Sequence, residues 1–239
     1  MQLSITEQLH ALMAEWSAAH RERGWKPFIA DGVVNEASYE GSAPRICFFL
    51  KEAYAKDDGG DRSLTAWLAD GAMTRMWGTV AEWTYGISRT TGSCIPPKPR
   101  LNPAEKSALL QRISVVNVKK SNGSARSDYK ELLRCTVADQ VFLRRELDIL
   151  KPDVIICGNN SSLLRLLYGA TLRENGKVSE DGGIPGPFLR EHGYAVVGEQ
   201  IILDYYHPAN QYPSIMNYYT VCSLYQQALR AKEGARDVL

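Results

Sequence analysis

Residues able to carry chemistry recur at one kind of place in this 239-residue chain, directly or soon after short apolar runs. Lys51 and Glu52 follow ICFFL; Asn117, Lys119, Lys120 and Ser121 follow ISVV; Asn160 and Ser161 follow VIICG; and His207 follows IILDYY. An imidazole holds or releases a proton near neutral pH, a carboxylate carries negative charge, and a carboxamide both donates and accepts hydrogen bonds. The runs have strand length and are apolar on successive residues, the pattern of strands buried on both faces in a parallel sheet. In open α/β sheets ligands bind beyond the carboxyl ends of the strands, so Glu52, Asn117, Asn160 and His207 are expected around one crevice.

Singly, each residue has a plainer reading. A histidine before a proline, as in YYHPANQY, is ordinarily a turn or core residue, and turns take asparagine freely. For Glu52 the alternative is an ion pair with Lys51 or Lys119. The convergence of several strand ends is what singles these residues out.

The elements that would position them follow from periodicity. Leu9, Leu12, Met13 and Trp16 recur at helical spacing and predict a helix over about Thr6 to Arg23, stopped by Gly24. SLTAWLADG and MTRMWGTVAEWTYGI read as helices with Trp67, Trp77 and Trp83 packing inward. Asn102 is a candidate cap for a helix starting near Pro103. VADQVFLRRELDILKP predicts one helix with Val141, Phe142, Leu147 and Leu150 on a common side, ended by Pro152. DVIICG is a third buried strand leading into the helix LLRLLYG, residues 173–193 read as loop, AVVGEQIILDYY is a final strand or hairpin, and a last helix covers about Pro213 to Arg230. This order predicts an α/β fold, a three-layer α/β/α sandwich around a mainly parallel four-stranded sheet. No linker divides the chain, so a single domain over 1–239 is expected, with 1–43 as an N-terminal helical extension.

Composition narrows the classes. The sequence is 44% hydrophobic and 23% charged, ordinary for a globular protein, and its net charge of +1 gives no global argument for a polyanionic partner. No apolar run approaches about 18 residues and the N-terminus reads as an amphipathic helix, so no membrane association and a cytoplasmic location are expected. Cys47, Cys94, Cys135, Cys157 and Cys222 are widely spaced without a C-x-x-C pair, which predicts free thiols and no structural metal. There is no G-x-S-x-G elbow, P-loop or dinucleotide fingerprint.

Four segments, ICFFLKEAYAKDDGG, ISVVNVKKSNG, FLRRELDILKPDVIICGN and YYHPANQY, span roughly Arg45 to Pro213. In content and order they resemble motifs of the uracil-DNA glycosylase superfamily, the third being most similar to its bacterial and archaeal branches. KEAYA stands where the family commonly has a glycine, a variable residue and a proline, and Ala209 replaces the usual serine after His-Pro. Ser121 and Asp139 occupy positions of iron–sulfur cysteines in the branches that carry a cluster, so no cluster or other cofactor is expected.

The resemblance implies a monofunctional DNA glycosylase acting on a damaged or modified base, uracil-like or a bulky modified cytosine in foreign DNA; the alternative is an inactive nucleic-acid-binding module of the same fold. It implies that His207 donates a hydrogen bond to the leaving base and that Glu52, with Asp58 in reserve, steadies the sugar cation or orients water. Asn117 would read the base edge, with Lys51 and Tyr205 beside it, and strand alternation points either Tyr205 or Tyr206 into the core. Lys119, Lys120, Ser121 and Arg126, and Asn160 and Ser161 at a helix start, would meet phosphate, while Gln211 and Tyr212 stand at the family's intercalating loop. DNA is the expected partner, and no obligate protein partner is expected.

Overall fold

The computed structural model describes residues 3–53, 60–124 and 126–236; Asp58 lies outside them. The helices among the described residues are α1 (Ile5–Glu22), α2 (Glu36–Glu40), α3 (Leu64–Ala69), α4 (Arg75–Ile87), α5 (Pro103–Leu110), α6 (Tyr129–Ala138), α7 (Gln140–Leu150), α8 (Ser161–Leu167), α9 (Gly186–His192) and α10 (Ser214–Arg236). The strands are β1 (Ile29–Ala30), β2 (Gly32–Val33), β3 (Ile46–Glu52), β4 (Arg62–Ser63), β5 (Ile113–Lys119), β6 (Val154–Gly158), β7 (Tyr194–Val197) and β8 (Gln200–Tyr205). Local signals set several starts: Ser4 and Glu7 form a capping box on α1, and Asn102 and Glu105 another on α5, with proline at its first turn.

The main sheet has the order β2-β5-β3-β6-β8-β7. β5, β3, β6 and β8 run parallel, while β2 and β7 close the edges antiparallel. The sheet is mostly parallel as expected, but it has six strands instead of four. The two additions have different origins. β2 is a two-residue strand, too short to show a period, and it lies within the segment read as a helical extension. β7 is the first arm of the AVVGEQIILDYY hairpin, which turns at Gly198 with a φ of +57°.

Alternate residues of β3 enter opposite cores. Phe48 and Leu50 join Val80, Trp83, Val221 and Tyr225 from α4 and α10, whereas Cys47 and Phe49 join Trp16, Leu147 and Leu163 from α1, α7 and α8. Burying a side chain of this size contributes about 1.5–3 kcal/mol, so β3 anchors both faces at once. Cys47 and Cys157 are buried free thiols within β3 and β6.

Three helical expectations need correction. The VADQVFLRRELDILKP helix is broken: α6 ends at Ala138 and α7 begins at Gln140, with Asp139 between them accepting from His20 Nε2 at 2.7 Å and Arg23 Nη1 at 2.5 Å. Beyond the break, α7 buries Leu143, Glu146, Leu147 and Leu150 and leaves Val141 exposed. Trp67 is also exposed, since α3 buries Leu68 instead, and α9 forms inside the stretch read as loop. Among the described residues no helix is long and apolar enough to cross a membrane.

Candidate functional site

The direction of the parallel strands brings Glu52, Lys119, Gly158 and Tyr205, the last residues of β3, β5, β6 and β8, to one edge of the sheet. The chain leaves β3 for its neighbour β5 on one side, then crosses to β6 on the other and continues outward to β8. Connections of opposite sense from adjacent strands open a crevice between them, here between β3 and β6. Gly158 lies at that point: a methyl group on its Cα would sit 3.0 Å from Leu50 Cδ2 and 3.1 Å from His207 Cδ2. Leu50, Gly158 and His207 are thus in close apposition, and a side chain at 158 would press on both Leu50 and the imidazole.

His207 is half-buried, and its Nδ1 accepts a hydrogen bond from the Ala209 N–H at 3.2 Å. That bond assigns the proton of the neutral ring to Nε2, leaving an N–H able to donate. Burial, and secondarily the Lys51 ammonium, push the imidazole down to a pKa of about 4, so it is neutral at physiological pH. Behind it, the His207 carbonyl accepts from both the backbone N–H and the Nδ2 of Asn210, each at 2.9 Å. Asn217 of α10 is buried and fastens this turn: its Nδ2 donates to Asn210 Oδ1 at 2.9 Å and to Tyr212 O at 3.2 Å, and its Oδ1 accepts from the Tyr205 hydroxyl at 2.9 Å. Tyr205 points toward the core, with its ring 5.6 Å from Trp83, while Tyr206 is exposed. Alternation is kept, and Tyr205 is not free to stack on a base.

Glu52 is at the same edge but is engaged. Its side chain is 5% exposed, its Oε2 lies 3.1 Å from Lys119 Nζ, and Lys119 also pairs with Glu131 at 3.0 Å. Gly123 closes over it, since a methyl there would lie 2.5 Å from Glu52 Cδ. The ion pair with Lys119 is therefore the one that forms. Burial works against the Lys119 charge, but hydrogen bonds to Glu131 and Glu52 outweigh it and hold the ammonium above its usual range.

Other expected contacts move inward. Asn117 is buried and donates through its backbone N–H and Nδ2 to Asp31 Oδ2 at 2.7 and 3.0 Å, so Asp31 already takes an amide donor expected to face a base. Lys120 is 0% exposed, held between Asp31 and Glu146, with its ammonium 4.7 Å from the Trp16 ring centroid. It cannot meet phosphate, and Ser121, buried and bridged to Phe28, does not present itself to solvent either. Asn160 is buried and its amide has no partner among the described residues; the Ser161 hydroxyl donates to Asp204 Oδ2 at 2.6 Å. Except for Asn160, these corrections share a cause: the polar groups at the strand ends find partners below the surface. Arg126, Gln211 and Tyr212 are exposed, and Gln211 Oε1 accepts from Arg75 Nη1 at 3.1 Å.

Asp31, Asn210, Asn217 and Arg75 had no signal in the sequence, because isolated polar residues in turns and helix first turns look like any others. Among the described residues no group of three histidine, cysteine or acidic side chains could hold a metal ion. No protein-family model and no curated protein sequence matches this chain.

Proposed function

We propose that the protein is a DNA glycosylase that hydrolyses the N-glycosidic bond of a damaged or modified base, on a three-layer α/β/α arrangement of the uracil-DNA glycosylase type. The observation that carries the reading is His207: a desolvated, neutral imidazole with a fixed tautomer, at the crevice between β3 and β6, with a donor N–H to offer.

Breaking the bond leaves its electron pair on the base and positive charge on the sugar, and water then adds to the sugar carbon and loses a proton. His207 Nε2–H would hydrogen-bond the base atom on which negative charge gathers, and the Lys51 ammonium adds a favourable field there. Preorganised donors of this kind matter because they require no reorientation as charge develops. Glu52, the carboxylate at the end of β3, is held by Lys119. The base must leave the stack to reach the crevice, and uracil-like bases or a bulky modified cytosine are the candidate substrates.

The Glu52–Lys119 ion pair favours a second reading, a nucleic-acid-binding module without catalysis, because that carboxylate is covered. Incubating the purified protein with DNA containing uracil, hypoxanthine or glycosylated hydroxymethylcytosine separates the two. Abasic sites on at least one substrate, lost in His207→Ala, support the enzyme; none on any substrate, with DNA binding retained, leaves the binding module.

A further inference from the structure

A groove of about 420 Å³ adjoins the His207 turn, between α4, α5 and the segment leading into α10. Arg75, Lys106, Gln211 and Tyr212 are among its lining residues. Lys106 lies across α4, with its Nζ 3.4 Å from where a methyl on Gly78 would be, and no carboxylate pairs with it among the described residues. Among the described residues Arg75 has the Gln211 amide oxygen as its one side-chain hydrogen-bond partner, whereas the one acid in the lining, Glu82, is neutralised by Lys98 at 2.9 Å. Two cations are therefore left over for an anionic ligand. The first turns of α4 and α10 both open on the groove and add positive potential.

Beside the groove lie aromatic rings that the fold leaves uncovered. Tyr206 and Tyr212 are each 48% exposed, with centroids 5.0 Å apart and planes tilted by 58°. Ile215, Met216 and Tyr219 extend the exposed surface along the start of α10. Unpaired cations next to exposed aromatic faces match a polyanion whose bases are free to stack, which is a single strand and not a duplex with its bases already stacked.

We infer that this groove and the Tyr206–Tyr212 pair form a track for single-stranded DNA running past His207, with Arg75 and Lys106 on phosphates and the tyrosines on bases. The inference rests on the glycosylase reading only in that DNA is the ligand; it adds the strand state and the path. The turn that holds His207 also holds Gln211 and Tyr212, so a strand on the track passes the crevice directly.

The test is fluorescence anisotropy of the full-length protein with a labelled oligothymidylate of about 15 nucleotides and a blunt duplex of equal length. The single strand is expected to bind more tightly. Arg75→Ala and Lys106→Ala should each weaken it about tenfold at low salt and flatten its salt dependence, with Lys106→Arg restoring both. Tyr212→Ala should weaken binding about tenfold at every salt concentration and Tyr212→Trp should not, because stacking does not depend on counterion release. Arg145→Ala, whose guanidinium pairs with Glu15 in the opposite core layer, should change nothing. Equal or tighter binding of the duplex, or unchanged binding in the Arg75 and Lys106 variants, overturns the track. The glycosylase reading fails separately: abasic sites without single-strand preference sink only the track, and single-strand binding without abasic sites sinks only the enzyme.

Discussion

At the scale of residues, His207 ties chemistry to acid stability. Its imidazole stays neutral in the fold down to about pH 4, whereas an unfolded chain protonates it near 6.5. Between those values the unfolded state binds a proton that the native state refuses, so stability falls as pH drops across the window, by on the order of 1 kcal/mol per pH unit, and the contribution is level above and below it. Urea unfolding at pH 7 and pH 5 should show that loss in the wild type and a smaller one in His207→Asn. On the proposed function, the glycosylase rate should show no inflection near pH 6.5, and removing the donor should lower it roughly 100-fold. The position of His207 was legible, since an apolar run ending in a histidine is a pattern on one segment. That Asp31 would claim Asn117 was not, because the two are 86 residues apart and meet only when β2 joins the sheet.

At the scale of elements, the parallel strands could be read because burial on both faces writes an apolar run long enough to recognise. The strands that escaped or stayed ambiguous lie at the edges, where two to four residues suffice and pairing, not pattern, makes the strand. The α6–α7 break was hidden for a related reason. Asp139 stops the helix to reach His20 and Arg23 on α1 and its cap, and a local period carries no trace of so distant a partner. The turn after β8 depends in the same way on α10. Asn217→Ala removes three hydrogen bonds that fasten it, so a loss of about 1–3 kcal/mol in stability and a larger fall in activity than in DNA binding are expected. Thermal denaturation alongside single-turnover rates checks both; activity that falls only in step with binding would mean that the turn does not position His207.

At the scale of the whole molecule, the polar end of β5 joins a buried network in which Asn117 and Lys120 meet Asp31, Glu146 of α7 and the Trp16 ring of α1. Lys120 is its hub: burial opposes its charge, and Asp31 and Glu146 together outweigh that cost and keep it cationic. Lys120→Met would leave two buried acids facing each other and should cost about 3–5 kcal/mol. Denaturant unfolding should register the loss as a lower midpoint, while a native-like stability with weakened DNA binding would return Lys120 to the surface role first expected of it. The Asn217 fastening has a kinetic counterpart. The Tyr212 N–H is bonded to Asn210, which is itself tied to a buried side chain of the last helix. In hydrogen–deuterium exchange the amides of Asn210 and Tyr212 should therefore exchange with the protection of α10, so that the turn bearing His207 and the final helix open as one cooperative unit.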